Sequence, residues 1–151
     1  MQRTVRGLVA ALTLLATTGC GSGYKIGYDY DLATNFRVYR SYSWLDPSNK
    51  ATSDRWGQAI RLAVTSELVT RGFEPLPRNA DLFVSYKMEP PAGSSGPAEN
   101  LELQFVDAKS KLVVWRGWAD GAVKDLSIPP PKEDMQKMIT DIMTQYPPRA
   151  K

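Results

Sequence analysis

The side chains that could carry out chemistry are limited by composition: the 151 residues include one cysteine, Cys20, and no histidine. Histidine is the usual general base near neutral pH and the commonest metal ligand, so its absence excludes Ser-His and Cys-His nucleophiles and histidine-based zinc sites. A single cysteine cannot form an internal disulfide, so packing must stabilise the domain. We therefore expect a non-enzymatic protein with no metal site and no cofactor.

Two carboxylates are spaced so that they could act together. Asp29 and Asp31 lie two residues apart, which places both on one face of a strand. Paired carboxylates perform acid–base chemistry in glycosidases and acid proteases. Alternation of charged and apolar residues is also typical of a half-exposed strand, so we expect a solvated face, with a catalytic pair or a cation or partner contact as alternatives. Ser41, Ser43 and Lys87 lack the spacing of a Ser-Lys nucleophile.

A tryptophan-rich segment gives the candidate contact surface: Trp115, Arg116 and Trp118. Tryptophan and arginine are enriched where proteins touch. We expect the face of Arg116 to point outward, because a guanidinium is rarely buried without a carboxylate. Core packing of the tryptophans is the alternative. Strand alternation predicts two faces, with Val113, Trp115 and Gly117 on one and Val114, Arg116 and Trp118 on the other.

The first nineteen residues have the three parts of an export signal. Arg3 and Arg6 give a positive start, and small residues lead to Cys20. The apolar run between them, residues 8–16, is well short of the roughly 20 apolar residues that a spanning helix needs. The pattern predicts that residues 1–19 are a signal peptide, removed on export.

The residues before the cysteine, Thr17-Thr18-Gly19-Cys20, resemble the bacterial lipobox, although Leu is usual where Thr17 stands. In that motif the cysteine is diacylated with fatty acids such as palmitate, and two acyl chains make anchoring stable. The resemblance implies a lipoprotein anchored through Cys20. Gly21 replaces the Asp that retains lipoproteins in the inner membrane, which implies the outer membrane, facing the periplasm. A plain secretory signal and a folded helix are the alternatives.

The charge balance of the mature chain bears on its partners. Removal of Arg3 and Arg6 from the 19 basic residues leaves 17 against 16 acidic ones. That balance gives no electrostatic reason to expect nucleic acid. The partners that we expect are the membrane, through lipid on Cys20, and an envelope protein.

Hydrophobic periodicity predicts one domain over residues 24–148, after a tether at 20–23. Both helices carry an apolar stripe at three-to-four spacing. The order β-β-α-β-β-β-α predicts an α+β fold, with a mainly antiparallel sheet of about five strands and two helices packed on one face. The predicted strands lie near 24–31, 36–45, 81–88, 100–107 and 111–119, and the predicted helices near 54–71 and 132–145.

Local signals refine this prediction. The first two strands look like a hairpin, and so do the last two. Ser53 or Asp54 can cap the first helix, and the end at Arg71-Gly72 predicts a left-handed glycine. Residues 90–97, rich in Pro, Gly and Ser, predict a mobile loop. The methionines of the last helix predict core packing, with an adaptable binding surface as the alternative: Met135, Met138 and Met143.

Several segments resemble the DUF4136 family of bacterial lipoproteins, and together they cover nearly the whole mature chain. The most specific is the last hairpin. The resemblance implies an envelope lipoprotein with this α+β order, no assigned activity and no catalytic residues. The segments are Tyr28-Asp29-Tyr30-Asp31 with Phe36, Tyr39, Ser43 and Trp44; Gly72-Phe73 with residues 80–86; residues 106–109 with 112–119; and Tyr146-Pro147-Pro148.

Three functions follow as hypotheses. The first is a lipid-anchored periplasmic lipoprotein that acts by protein contact or structural support. The second is a small periplasmic binding module with an apolar cavity between sheet and helices, and such a cavity would measure about 300 Å³ or more. The third is a hydrolase built on carboxylates.

Overall fold

The computed structural model describes residues 23–45, 54–90, 93 and 99–148. The predicted signal peptide, Cys20, the cap at Ser53 and most of the predicted loop at 90–97 lie outside the described residues. Within these ranges, no helix is long and apolar enough to cross a membrane.

The described chain confirms the α+β fold, with one more strand than the sequence predicts. The additional strand, β3, has only two residues, too few for an alternating pattern to show. In chain order the elements are β1 (Lys25–Tyr30), β2 (Ser41–Trp44), α1 (Asp54–Thr70), β3 (Glu74–Pro75), β4 (Leu82–Glu89), β5 (Glu99–Asp107), β6 (Val113–Val123) and α2 (Lys132–Met143).

The strands form one sheet in the order β1-β6-β5-β4-β2-β3. Pairing is antiparallel from β1 through β4, whereas β2 runs parallel to both β4 and β3. The predicted hairpin of β5 and β6 is confirmed. The predicted hairpin of the first two strands was wrong, because β1 pairs with β6 and residues 31–40 carry the chain across the end of the sheet before β2 begins.

The predicted strand 36–45 is shorter in the structure because a turn occupies its first half. The Asn35 side chain accepts a hydrogen bond from the Arg37 backbone N–H at 3.1 Å and starts a 3₁₀ turn over Phe36–Val38. This bond competes with strand pairing, so β2 begins only at Ser41.

Both helices and the alternating inner residues of the strands share one core. The predicted core packing of the last helix is confirmed, since its three methionines are buried. Side chains of both layers pack together in the space between sheet and helices, where the binding-module hypothesis places an apolar cavity. The largest fully buried side chains are Trp56, Trp115, Tyr42, Phe105, Ile60, Leu68, Leu82, Leu101, Leu103, Met135, Ile139 and Ile142.

An irregularity in β5–β6 pairing changes the predicted faces. The register shifts between Phe105 and Val106. As a result Val113 is 43% exposed and Val114 only 4%, so the prediction that Val113 lies on the side of Trp115 was wrong. A shift of one residue exchanges the two faces of a strand.

The predicted left-handed glycine at the end of α1 is confirmed, since Gly72 has φ +85°. The Phe73 backbone N–H donates to the Leu68 carbonyl at 3.0 Å, and that of Gly72 donates to Val69 at 2.9 Å. These bonds satisfy helix-end carbonyls in a Schellman motif and turn the chain toward β3.

Candidate functional site

Of the three residues of the predicted contact surface, Trp115 belongs to the core. It is fully buried, and its ring centroid lies 4.9 Å from that of Phe105 and 5.1 Å from that of Tyr146. Gly117 makes room for it, because a Cβ at that position would lie 2.3 Å from the Trp115 ring. The contact-surface prediction was therefore wrong for Trp115 and stays a prediction for Arg116 and Trp118.

Arg116 lies on the face of the sheet away from the helices, as predicted, and pairs with β1. Its guanidinium donates to Asp29 Oδ2 at 2.8 Å, and the two side chains are 46% and 59% exposed. This hydrogen bond holds the pKa of the Asp29 carboxyl below its usual value. The sequence does not predict the pair, since the two residues are 87 positions apart.

Trp118 lies flat over the backbone of β1 at Gly27, its neighbour in the register. A Cβ at Gly27 would come within 2.4 Å of the indole, so glycine at this position leaves space for the ring where it lies. Trp118 is half-buried as a result. The N-terminal strand therefore shields part of the Trp118 ring.

We call the helix-free side of β1, β6, β5 and β4 the open face. Opposite charges alternate across it: Arg116 lies between Asp29 and Gln104 in the register, and Glu102 lies between Trp118 and Lys87. Such cross-strand pairs each stabilise a sheet by roughly 0.2–1 kcal/mol. The open face is thus a charge-balanced surface with one half-buried tryptophan near its β1 edge.

The Asp31 carboxylate is held by residues of the turn that follows β1. It accepts hydrogen bonds from Thr34 Oγ1 at 2.6 Å and from the Ala33 backbone N–H at 3.0 Å. The bond from Thr34, followed by that from Ala33, lowers the pKa of Asp31. A general acid needs a raised pKa, whereas both carboxyls are lowered, so the geometry favours the solvated face that the sequence predicts.

A partly buried polar cluster that the sequence did not predict holds β2 beside β4. Asp81 Oδ2 accepts hydrogen bonds from the backbone N–H groups of Arg40 (2.8 Å) and Ser41 (3.0 Å) and from Ser41 Oγ (2.9 Å). These hydrogen bonds lower the pKa of Asp81, and the bond from the Arg40 backbone N–H has the largest effect. Ser41 is buried and its hydroxyl is committed to Asp81, which agrees with its exclusion as a nucleophile. The only sign of this cluster in the sequence is an acidic residue directly before a strand.

A depression lies at the end of the sheet where residues 31–40 cross. It measures about 840 Å³ and was not predicted. Arg71 is held there by Glu67 and by the Met143 carbonyl. Within the described ranges no group of three or more Cys, Asp or Glu could hold a metal ion. The lining combines arginines with aromatic rings: Arg37, Arg40, Arg71, Tyr30, Phe36, Tyr39 and Phe73.

These features define a small α+β domain whose helices cover one face of a six-stranded sheet. The family profile of DUF4136, a domain of unknown function, matches residues 26–148. The chain belongs to the DUF4136 family. A search of curated proteins gave no match.

Solved structures share this fold. A DUF4136 family protein from Bacteroides thetaiotaomicron is 14% identical with a TM-score of 0.62, and 82% of this chain covers 96% of it. A PDZ domain protein from Parabacteroides distasonis is 11% identical with a TM-score of 0.63, and 82% of this chain spans only 35% of it. PelC from Paraburkholderia phytofirmans, a dodecamer, is 13% identical with a TM-score of 0.54, and 80% of this chain covers 95% of it.

Proposed function

We propose that the protein is a lipid-anchored lipoprotein of the bacterial envelope, held at the periplasmic face of the outer membrane, which acts by contact and not by catalysis. The open face carries this proposal: it presents Arg116 and the half-buried Trp118 beside the strand that follows the tether. Support against catalysis comes from Asp29, Asp31 and Asp81, whose oxygens are committed to hydrogen bonds that lower their pKa values.

The anchor is supported by the signal-like residues 1–19 and the cysteine that follows them. Cys20→Ala should release the protein from the membrane fraction and abolish incorporation of labelled palmitate, because the acyl chains supply the only strong membrane attachment. The matched control is Ser22→Ala, which changes the tether and keeps the thiol. Membrane recovery of the Cys20→Ala variant at the level of the control would contradict the anchor.

The choice of membrane has its own test. Gly21→Asp should move the protein from outer-membrane to inner-membrane fractions on a density gradient, with palmitate incorporation unchanged. An unchanged distribution would contradict sorting by the residue after Cys20.

The contact role predicts that chemical crosslinks in the native envelope depend on the open face. Trp118→Ser should remove crosslinked products, whereas Leu112→Ser should retain them, because Leu112 is 67% exposed in the β5–β6 turn. The melting temperature of Trp118→Ser is measured beside the crosslinks. A large loss of stability would assign Trp118 to the core and remove this face as the contact surface.

A second candidate, a small binding module, is favoured by the depression of about 840 Å³. Its arginines and aromatic rings suit a ligand with an anionic group and an apolar part. Titration with a short-chain anionic phospholipid should give saturable binding that Arg37→Glu/Arg40→Glu abolishes and Arg78→Glu, an exposed site elsewhere, preserves. Equal binding by both variants would contradict a site in this depression.

A further inference from the structure

Strand β1 ends the sheet with a free edge. Among the described residues, β6 is its only strand neighbour. The other edge of the sheet is β3, a two-residue strand that contains Pro75. A long unpaired edge is a template for another strand, and β1 offers six residues of it.

The residues of β1 are complementary to themselves when the strand is reversed. An antiparallel pairing centred on Gly27 places Lys25 opposite Asp29 of a second copy, and Ile26 opposite Tyr28. The reciprocal pairs form by symmetry, so each half of the contact matches a positive to a negative charge and an apolar residue to an apolar residue. Charges on an edge strand normally prevent indiscriminate pairing, whereas this register sets Lys25 opposite an acidic residue, Asp29, that also pairs with Arg116 of its own chain.

The backbone of β1 fits the same register. The Asp31 N–H donates to the Val114 carbonyl at 2.9 Å, and hydrogen-bonding groups alternate sides along a strand. The backbone groups of Ile26 and Tyr28 therefore point away from β6. In the register centred on Gly27 these are the residues that face each other, and they would exchange N–H···O bonds.

Side chains on the helix side of β1 leave space for a neighbour. Ile26 is 39% exposed and Tyr28 is 44% exposed. They line a depression of about 410 Å³ with residues of the α2 end, including Lys137 and Asp141. A strand added to β1 would place the partner's Tyr28 beside this depression and cover the apolar surface.

We propose that two copies of this chain associate through β1 in the antiparallel register centred on Gly27, which joins their six-stranded sheets into one. The contact is isologous, so it closes as a dimer. Over the dyad the two Trp118 rings, each lying on its own Gly27, would meet on the open face. A register shifted by two residues would pair Lys25 with Asp31, which lies beyond the end of β1 and whose two carboxylate oxygens accept from Ala33 and Thr34. Asp29 lies within β1 and its Oδ2 accepts from Arg116, so Lys25 of the second copy would extend an existing ion pair.

The dimer does not depend on the lipid anchor, although the anchor would favour it. The two Tyr24 residues would lie about 20 Å apart, from six strand residues at roughly 3.3 Å each, so both tethers could reach one bilayer. Confinement to one membrane raises the effective concentration of the partners. Recovery of Cys20→Ala in the membrane fraction with the dimer intact would refute the anchor alone.

Disulfide trapping of the full chain in its native envelope tests the register. In the proposed pairing residues 25 and 29 of different copies form a close pair, with Cα atoms about 4.5 Å apart. Within one chain they are about 13 Å apart, too far for a disulfide. Mild oxidation of Lys25→Cys/Asp29→Cys should therefore give a dimer on a non-reducing gel. Either single variant should stay monomeric.

The register control is Lys25→Cys/Asp31→Cys, which should give much less dimer. Equal trapping of the two pairs, or trapping of neither, would overturn the proposal. Light scattering of the purified full chain gives a second measurement without cysteines: Lys25→Glu should lower the dimer fraction, whereas Lys109→Glu, with the same charge change in the β5–β6 turn, should not. A monomer in every sample, or a ring such as a dodecamer, would also overturn it.

Discussion

Two glycines determine where the tryptophans of β6 lie. A Cβ at Gly117 would lie 2.3 Å from the Trp115 ring and 2.9 Å from Ile142, while one at Gly27 would lie 2.4 Å from the Trp118 ring. The two positions differ in whether the neighbouring tryptophan ring can move aside. Trp115 is fully buried, so it has nowhere to move, whereas the half-buried Trp118 can shift into solvent.

Gly117→Ala should therefore lower the free energy of unfolding by about 1–3 kcal/mol, the usual effect of overpacking. The measurement is denaturant unfolding followed by tryptophan fluorescence. Gly23→Ala is the control, because a Cβ there would lie 3.5 Å from Lys124 Nζ, an ordinary contact. Equal stability of the Gly117→Ala and control variants would contradict the close packing of Trp115.

At the scale of single residues, the sequence predicts the features that depend only on the chemistry of the side chain itself. The guanidinium of Arg116 predicted the outward face correctly, because charge opposes burial wherever the strand lies. The contact between Trp118 and Gly27 depends on which strand lies next to β6. No property of either residue specifies that neighbour.

At the scale of elements, the end of α1 rests on Gly72. No atom lies within 4 Å of a Cβ built there, and φ is +85°, so a substitution would meet backbone strain alone. Gly72→Val should lower stability by about 1–2 kcal/mol, and Gly72→Asn by less, since Asn tolerates the left-handed region. Melting temperatures by circular dichroism distinguish the two. Equal losses would mean that the dihedral angle is not the cause.

The placement of β2 should depend on pH through Asp81. The folded pKa lies below the ordinary value because Arg40 and Ser41 donate to the carboxylate. A lowered carboxyl pKa contributes stability above the unfolded value of about 3.9, and this is lost as pH falls through the folded pKa. Asp81→Asn should therefore be less stable than wild type at pH 7, with the difference shrinking toward pH 3.

The control for this titration is Asp120→Asn, a change at an exposed residue. A substitution at an exposed site usually changes stability by no more than about 0.5 kcal/mol, which gives the baseline for the comparison at pH 7. A difference for Asp81→Asn that does not depend on pH would show that Asp81 acts through shape and not through charge.

Element types followed from the sequence better than element partners did. Alternation along β4, β5 and β6 and the stripes of α1 and α2 gave their positions to within a few residues. The parallel pairing of β2 with β4 could not be predicted, since periodicity describes burial and not the neighbouring strand. Asn35 shortened β2 through a side-chain bond that hydrophobic pattern does not register.

For the whole molecule, Tyr146 joins parts that are distant in the chain. Its ring centroid lies 4.4 Å from that of Phe105 in β5 and 5.1 Å from that of Trp115 in β6. The same centroid lies 6.0 Å from that of Phe36, in the segment 31–40 that crosses the end of the sheet, and 5.9 Å from that of Phe73, which follows α1. Through Tyr146, the chain after α2 therefore packs against segment 31–40, against the chain after α1 and against the sheet.

Packing and not hydrogen bonding should account for the contribution of Tyr146. Its hydroxyl makes no hydrogen bond within the described residues, and burial raises its pKa, so the phenol stays neutral. Tyr146→Ala should cost about 3–5 kcal/mol, the usual range for a large aromatic removed from a core. Tyr146→Phe should be neutral or slightly stabilising, because it removes an unpaired buried polar group. Denaturant unfolding measures both, and a Phe variant as unstable as the Ala variant would show that the hydroxyl, not the ring, holds the elements together.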